Sequence, residues 1–276
     1  MNYEVVKAFN NNVILARRDG QEVILVGKGI GFGKKSGDDI KTNPKTLEKV
    51  FHELQSSSSL SYLDMIPKYK KEIIGVSEEI IAKAETMLGL LSPNIHMALI
   101  DHITFAIDRI NMALPIENPF TEEITLLYQE EYEVAELAAS LLGKRIGVDI
   151  GEDEKGFIAL HLHSARNNKT IRETMKDTRL FKACTDFIIE EIDSPEHNKG
   201  YVYQSFIPIL KTTLSLCRRQ KTIHNPLKKE IKSKLRESYN IANKIAMLIQ
   251  EDKDIILSED MITYIAIDIE RIRQYG

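Results

Sequence analysis

Apolar residues along this chain follow two periods, and the change between them falls near Leu63. From Glu4 to Gly27, the runs Val5-Val6, Val13-Ile14-Leu15 and Val23-Ile24-Leu25-Val26 are separated by turn residues, which is the pattern of short strands. Asp19-Gly20 marks a hairpin, and Val50-Phe51 suggests a further short strand. Gln55-Ser56-Ser57-Ser58-Ser59 reads as a polar, flexible linker. Beyond it the spacing turns helical, with segments predicted at about 64–73, 77–90, 93–112, 121–143 and 153–165, then 173–193, 199–218, 226–250 and 258–273. Ser258-Glu259-Asp260 gives the last an N-cap and an acidic first turn. The chain is therefore read as an all-β module over 1–55, a linker over 56–63, and an all-α remainder.

The α-helical remainder contains a repeat. Glu131 to Arg166 overlies Ser238 to Arg273 without a gap, at a constant offset of 107 residues, and the same offset sets Asn118-Pro119 against Asn225-Pro226. Tyr132 meets Tyr239, Glu152 meets Glu259, Asp153 meets Asp260 and Ala159 meets Ala266. A period this long indicates two homologous small domains rather than a solenoid; they are placed at 64–169 and 170–276. The copies differ where chemistry is concentrated: His161 faces Asp268, and His163 faces Glu270.

Composition narrows the function. With 276 residues, 43% hydrophobic and 28% charged, the chain can bury several cores. Its formal charge of −4 argues against nonspecific coating of nucleic acid, so any phosphate-binding patch must be local. No apolar run is long enough to span a bilayer and no signal-peptide pattern opens the chain, so a cytoplasmic location is expected, without membrane insertion. Cys184 and Cys217 suit neither a disulfide framework nor a CxxC site. No metal or cofactor is expected.

Glycines at positions 27, 29, 31 and 33 alternate after the third strand, where the backbone can turn freely or approach a ligand closely. A nucleotide-binding P-loop fails on spacing, because Lys28 stands where its leading glycine belongs and Lys35 follows Gly33-Lys34. That argues against an enzyme built on this loop. Asn10, Asn11 and Asn12 supply amides, Phe32 an aromatic face, and Lys7, Lys28, Lys34 and Lys35 positive charge, the inventory that reads unpaired RNA bases and neutralises phosphates. The same residues also suit a plain β module in which the asparagines make a turn and Phe32 is core. Residue types alone do not choose between these.

The motifs Asn10-Asn11-Asn12-Val13 and Val26 to Asp38 (VGKGIGFGKKSGD), with Ile100 to Ile107 and Glu152 to Ser164 (EDEKGFIALHLHS), resemble the BglG/SacY-type transcription antiterminators, and the resemblance spans the whole chain. It implies a homodimer of four-stranded co-antiterminator RNA-binding domains, followed by two regulation domains of the sugar phosphotransferase system, the PTS. The paired β modules would hold an antiterminator hairpin in nascent leader mRNA and so prevent the overlapping terminator from forming. RNA-contacting positions would fall on Lys7, Asn10, Asn12, Gly27, Lys28, Gly29 and Phe32, with Lys34 on a phosphate. Lys28 replaces an Arg found in many relatives and lacks its planar fork. Phosphorylation would fall on His102 and His161, with a sugar permease domain and the carrier HPr as the PTS partners. His163 reads as a spare, while His52, His96, His197 and His224 read as surface or satisfied polar side chains.

The second regulation domain departs from that pattern. Asp268 takes the place of one expected histidine, and the gap-free register puts Ile209 opposite His102. Either Asp268 and Glu270 hold this domain in a state resembling its phosphorylated form, or it is now only a dimerisation body. Two other functions compete with antitermination: a phosphoryl-relay carrier or phosphotransferase component using His161, and a DNA-binding regulator. The latter lacks a recognition helix.

Overall fold

The computed structural model describes residues 1–42, 47–52, 67–192, 199–221 and 223–275. The expected linker at 56–63, residues 64–66 of the helix expected at 64–73, and His197 lie outside these residues; residues 67–70 are not helical, and a single helix over Lys71–Leu88 replaces the separate segments expected at 64–73 and 77–90. Strands β1 (Asn2–Ala8), β2 (Val13–Arg18), β3 (Gln21–Val26), β4 (Asp39–Lys41) and β5 (Lys49–His52) form one antiparallel sheet in the order β4-β1-β2-β3-β5. The hairpin at Asp19-Gly20 is present: both residues have positive φ, 51° and 82°, so the turn twists with its strands. The sheet has five strands rather than the expected four. The additional strand, β4, is three residues long and carries one buried apolar side chain, Ile40, opposite Tyr3, too short for alternation to register.

Both faces of the sheet are buried. Tyr3, Val5, Ile14, Ala16, Val23, Leu25 and Ile40 form one cluster. The alternate residues Leu15, Ile24 and Phe51 are also buried, and helix α1 (Lys71–Leu88) contacts β2 and β3. Every residue of α1 from Ile73 to Ala82 is buried, including consecutive glutamates, and such carboxylates require partners. Glu78 engages Nδ1 of His96 with both oxygens at 3.0 and 2.9 Å, while Glu85 pairs with Lys49 on β5 at 2.5 Å. His96 is thus a satisfied core histidine, its ring edge-on to Phe51.

Helices α2 (Ile95–Asn111), α3 (Thr121–Leu127), α4 (Gln129–Ile146) and α5 (Gly151–Arg166) follow, then α6 (Ile171–Glu191), α7 (Lys199–Arg218), α8 (Lys228–Lys234), α9 (Arg236–Lys253) and α10 (Glu259–Tyr275). The chain divides into two compact units, Met1–Thr174 and Met175–Gly276. Among the described residues no helix is long and apolar enough to cross a membrane.

The helices expected to run unbroken over 121–143 and 226–250 are each interrupted, at Tyr128 (φ −131°, ψ 49°) and Leu235 (φ −111°, ψ 47°), which are equivalent positions in the repeat. No Gly or Pro marks either break. Tyr128 is buried, with its ring centroid 3.9 Å from that of His163, so tertiary packing takes precedence over local helical preference.

The repeat holds at the level of single bonds. The backbone N–H groups of Asn118 and Asn225 donate to Asp153 and Asp260, and their side-chain oxygens accept from the N–H groups of Phe120 and Leu227. Beneath them the copies diverge: a Cβ at Gly156 would lie 2.7 Å from the Asn118 amide nitrogen, whereas the equivalent Thr263 accepts a 3.1 Å hydrogen bond from the Asn225 amide. Replacing buried Asn225 by Ala should therefore destabilise the chain by about 1–2 kcal/mol in urea unfolding; an unchanged midpoint would contradict this account of the turn.

Candidate nucleic-acid interface and histidine pair

Asn10 to Asn12 make a turn between β1 and β2 that is joined to the glycine-rich loop after β3. Asn10 Oδ1 accepts from the N–H groups of Asn12 and Val13 at 2.8 and 2.9 Å. Gly27 N–H donates to Asn12 O, Gly31 N–H to Asn11 O and Gly29 N–H to Asn12 Oδ1, each at 2.9 Å. This close approach explains Gly31, where a Cβ would stand 2.2 Å from the Asn10 carbonyl oxygen. Gly29 and Gly33 take positive φ, 72° and 69°, which lets the loop turn twice in succession.

The two segments make a single polar face. Phe32 stands on it 73% exposed, so the plain-module expectation that it is core fails. Lys28 and Gly29 are exposed, Lys34 is half-buried and Gly27 is buried. Lys7 is half-buried on β1, beyond a register shift in its pairing with β2. The structure therefore brings Asn10, Asn12, Gly27, Gly29 and the Phe32 loop together, with Lys7 on the adjoining strand. Sequence reasoning missed Glu79 of α1, whose carboxylate accepts from Asn10 Nδ2 at 2.8 Å, Asn12 Nδ2 at 3.0 Å and Arg145 Nη2 at 2.8 Å. The available signal was a pair of acids inside the apolar run of α1.

The second constellation lies in the helices. His102 on α2 and His161 on α5 are 59 positions apart in sequence, yet their rings tilt together with centroids 4.9 Å apart. His102 Nε2 is 3.1 Å from Glu154 Oε2, an ion-pair distance without hydrogen-bond geometry, while Arg109 Nη2 donates to the other oxygen at 2.6 Å. Burial works against the Glu154 charge, but His102 and Arg109 outweigh it and hold the carboxyl below its ordinary range. Burial, aided by the proximity of His102, pulls His161 down to about 3. An imidazole kept neutral retains a lone pair with which to accept an electrophile.

His163 is not a spare. Its Nδ1 lies 3.0 Å from Glu131 Oε1, tying α5 to α4. In the second repeat the partners exchange character: Glu270 Oε2 accepts from Ser238 Oγ at 2.6 Å and from Arg273 Nη1 at 3.2 Å. Glu270 thus holds the same helix pair that His163 holds in the first repeat. Asp268, the counterpart of His161, lies 3.2 Å from Arg271; burial raises its carboxyl above the ordinary value, and Arg271 partly opposes this. Ile209 is half-buried on α7.

Comparison with known proteins identifies the domains in which these two constellations lie. Residues 3–59 match the CAT RNA binding domain, and residues 78–165 and 186–272 match the PRD domain. The chain is 31% identical over 279 residues to Protein GlcT of Staphylococcus aureus strain MRSA252, covering 99% of both chains, and equally similar to Protein GlcT of strain JH9. This chain belongs to the CAT–PRD antiterminator family. A solved structure of GlcT CAT-PRDI is 34% identical, covering 61% of this chain and 100% of that one, with a TM-score of 0.48. As a CAT–PRD antiterminator, the chain binds RNA to control transcription, and its activity is regulated through PTS-dependent phosphorylation.

The depressed His161 gives this antiterminator a pH signature. Below the ordinary histidine value of 6.5 the unfolded chain takes up a proton that folded His161 refuses until about 3, so stability declines as pH falls through that window. Imidazole NMR at about pH 5 should find His161 neutral; a protonated ring there would refute the assignment.

Proposed function

We propose that residues 1–55 of two chains pair and grip a hairpin in the leader transcript, with Lys7, Asn10, Asn12, Gly27, Lys28, Gly29, Phe32 and Lys34 at the contact. The regulation domains at 64–169 and 170–276 then control the pairing from the cytoplasm. The observation that carries this reading is Phe32, a large aromatic ring 73% exposed on a loop fixed by backbone hydrogen bonds. Such a ring gains from stacking on an unpaired base.

His102 and His161 are the phosphoryl acceptors in this reading. A neutral imidazole nitrogen of one ring attacks the phosphorus of a phosphorylated sugar permease domain, the bond from phosphorus to the donor residue breaks, and the donor leaves unphosphorylated. Each transfer adds about −1.5 to −2 charges beside Glu154, which already carries the compensating contacts of that corner. Repulsion across a two-fold axis then loosens the dimer and, with it, the RNA clamp. Without an imidazole at Asp268 or Ile209, the second domain offers HPr no acceptor at those two positions.

Phe32→Ala should leave stability within about 0.5 kcal/mol and weaken binding to a leader hairpin by about 1–3 kcal/mol in gel-shift titration. Binding equal to that of the unaltered chain would remove the RNA face from this loop. Asn10→Ala is a less direct test, because Asn10 Oδ1 also holds its own turn.

Incubation with phosphorylated permease domain should label the chain, and the double variant His102→Ala, His161→Ala should lose the label. Retention of full labelling by that variant would reassign the acceptors.

A further inference from the structure

Glu79 belongs to the first regulation domain, yet its carboxylate terminates among the amides of the β module. Its side chain is 6% exposed, and a charge so buried is stable only when fully partnered. Three groups partner it: Arg145 from α4, and the side-chain N–H groups of Asn10 and Asn12. The acceptor oxygens of the two asparagines are engaged elsewhere, that of Asn10 twice in its own turn and that of Asn12 by Gly29 N–H. The amide donors are therefore what these side chains have left to offer a ligand, and one carboxylate engages both.

A second observation points the same way. Gly75, one helical turn before Glu79, lies so near the turn that a Cβ there would be 2.6 Å from Asn10 Nδ2 and 3.2 Å from Phe9 Cβ. The absence of a side chain at 75 lets α1 approach closely enough for Glu79 to reach the amides.

We propose that Glu79 is an intramolecular latch: it engages the amide groups with which Asn10 and Asn12 would read RNA and competes with RNA for them. The inference rests on the RNA face proposed above. A base acceptor that takes either amide removes a partner from a buried charge, and the carboxylate repels any phosphate brought close. Binding and latching thus compete at the same two nitrogens, each of which directs one of its two N–H groups to Glu79. The β module is held inactive by the regulation domain through a direct contact, in addition to any effect on pairing between copies.

The test uses the full chain and a leader-transcript hairpin that the unaltered chain binds. Glu79→Gln preserves shape and removes the charge, and should bind the hairpin about five- to tenfold more tightly. Glu79→Asp withdraws a still-charged carboxylate by one methylene and should shift affinity in the same direction; it is the variant to use if Glu79→Gln fails to fold. Phe32→Ala, whose side chain makes none of the latch hydrogen bonds, is measured alongside. If Phe32→Ala weakens binding while the folded Glu79 variants bind equally or more weakly, the latch is overturned and Glu79 is a scaffold for the turn. If Phe32→Ala binds unchanged, the RNA face fails, and the latch fails with it.

Discussion

The arrangement of the first compact unit depends on a helix that buries charge. Helix α1 places Glu78, Glu79 and Glu85 where water hardly reaches, and each carboxylate must find its counterpart in protein. The counterparts come from several directions: Lys49 from the sheet, His96 from α2, Arg145 from α4, and two amides from the turn after β1. These obligations join the β module to the helical bundle more specifically than apolar contact could, because an apolar surface tolerates sliding and a bidentate carboxylate does not. A sheet of this size is barely self-sufficient. Covering its second face with α1 contributes the missing burial within one chain.

The two helical repeats share a scaffold and differ in chemistry. The shared parts are geometric: an asparagine turn closed onto an aspartate, a helix interrupted at one fixed position, and a left-handed residue, Gly147 or Asp254, ending the long helix. The differences lie on α5 and α10. In the first repeat the His102–His161 pair leans on Glu154; in the second, Asp268 pairs only with Arg271 on its own helix among the described ion pairs. Glu270 and Ser238 invert the polarity of His163 and Glu131 while keeping the helices joined. Glu270 thus has a packing role beside its charge, while Asp268 stands at the position His161 takes in the first repeat.

Much of this was legible in the residues. Strand runs, the Asp19-Gly20 hairpin, the change of period and the 107-residue offset are local or periodic signals, and the structure follows them. Strand β4 was not legible, because a single buried residue, Ile40, has no period. The breaks at Tyr128 and Leu235 were not legible either, since the Tyr128 ring turns to meet His163, which lies 35 positions later in the chain. At the sites, family resemblance linked His102 to His161, and proximity in the fold now gives that link a physical basis. Glu79 escaped notice because its partners lie 69 and 67 positions earlier in sequence and 66 later; only folding brings them together.

The contrast between Gly156 and Thr263 also bears on how a tandem repeat avoids folding onto the wrong half. Related neighbouring modules are prone to exchange equivalent segments during folding. Were α10 to dock beneath Asn118, its threonine would crowd the amide and make it shift; were α5 to dock beneath Asn225, that buried amide would lose its hydroxyl acceptor. Each mismatch is penalised for a different reason, one steric and one polar. A hydrogen atom in one copy and a branched alcohol in the other therefore match each helix to the turn of its own repeat.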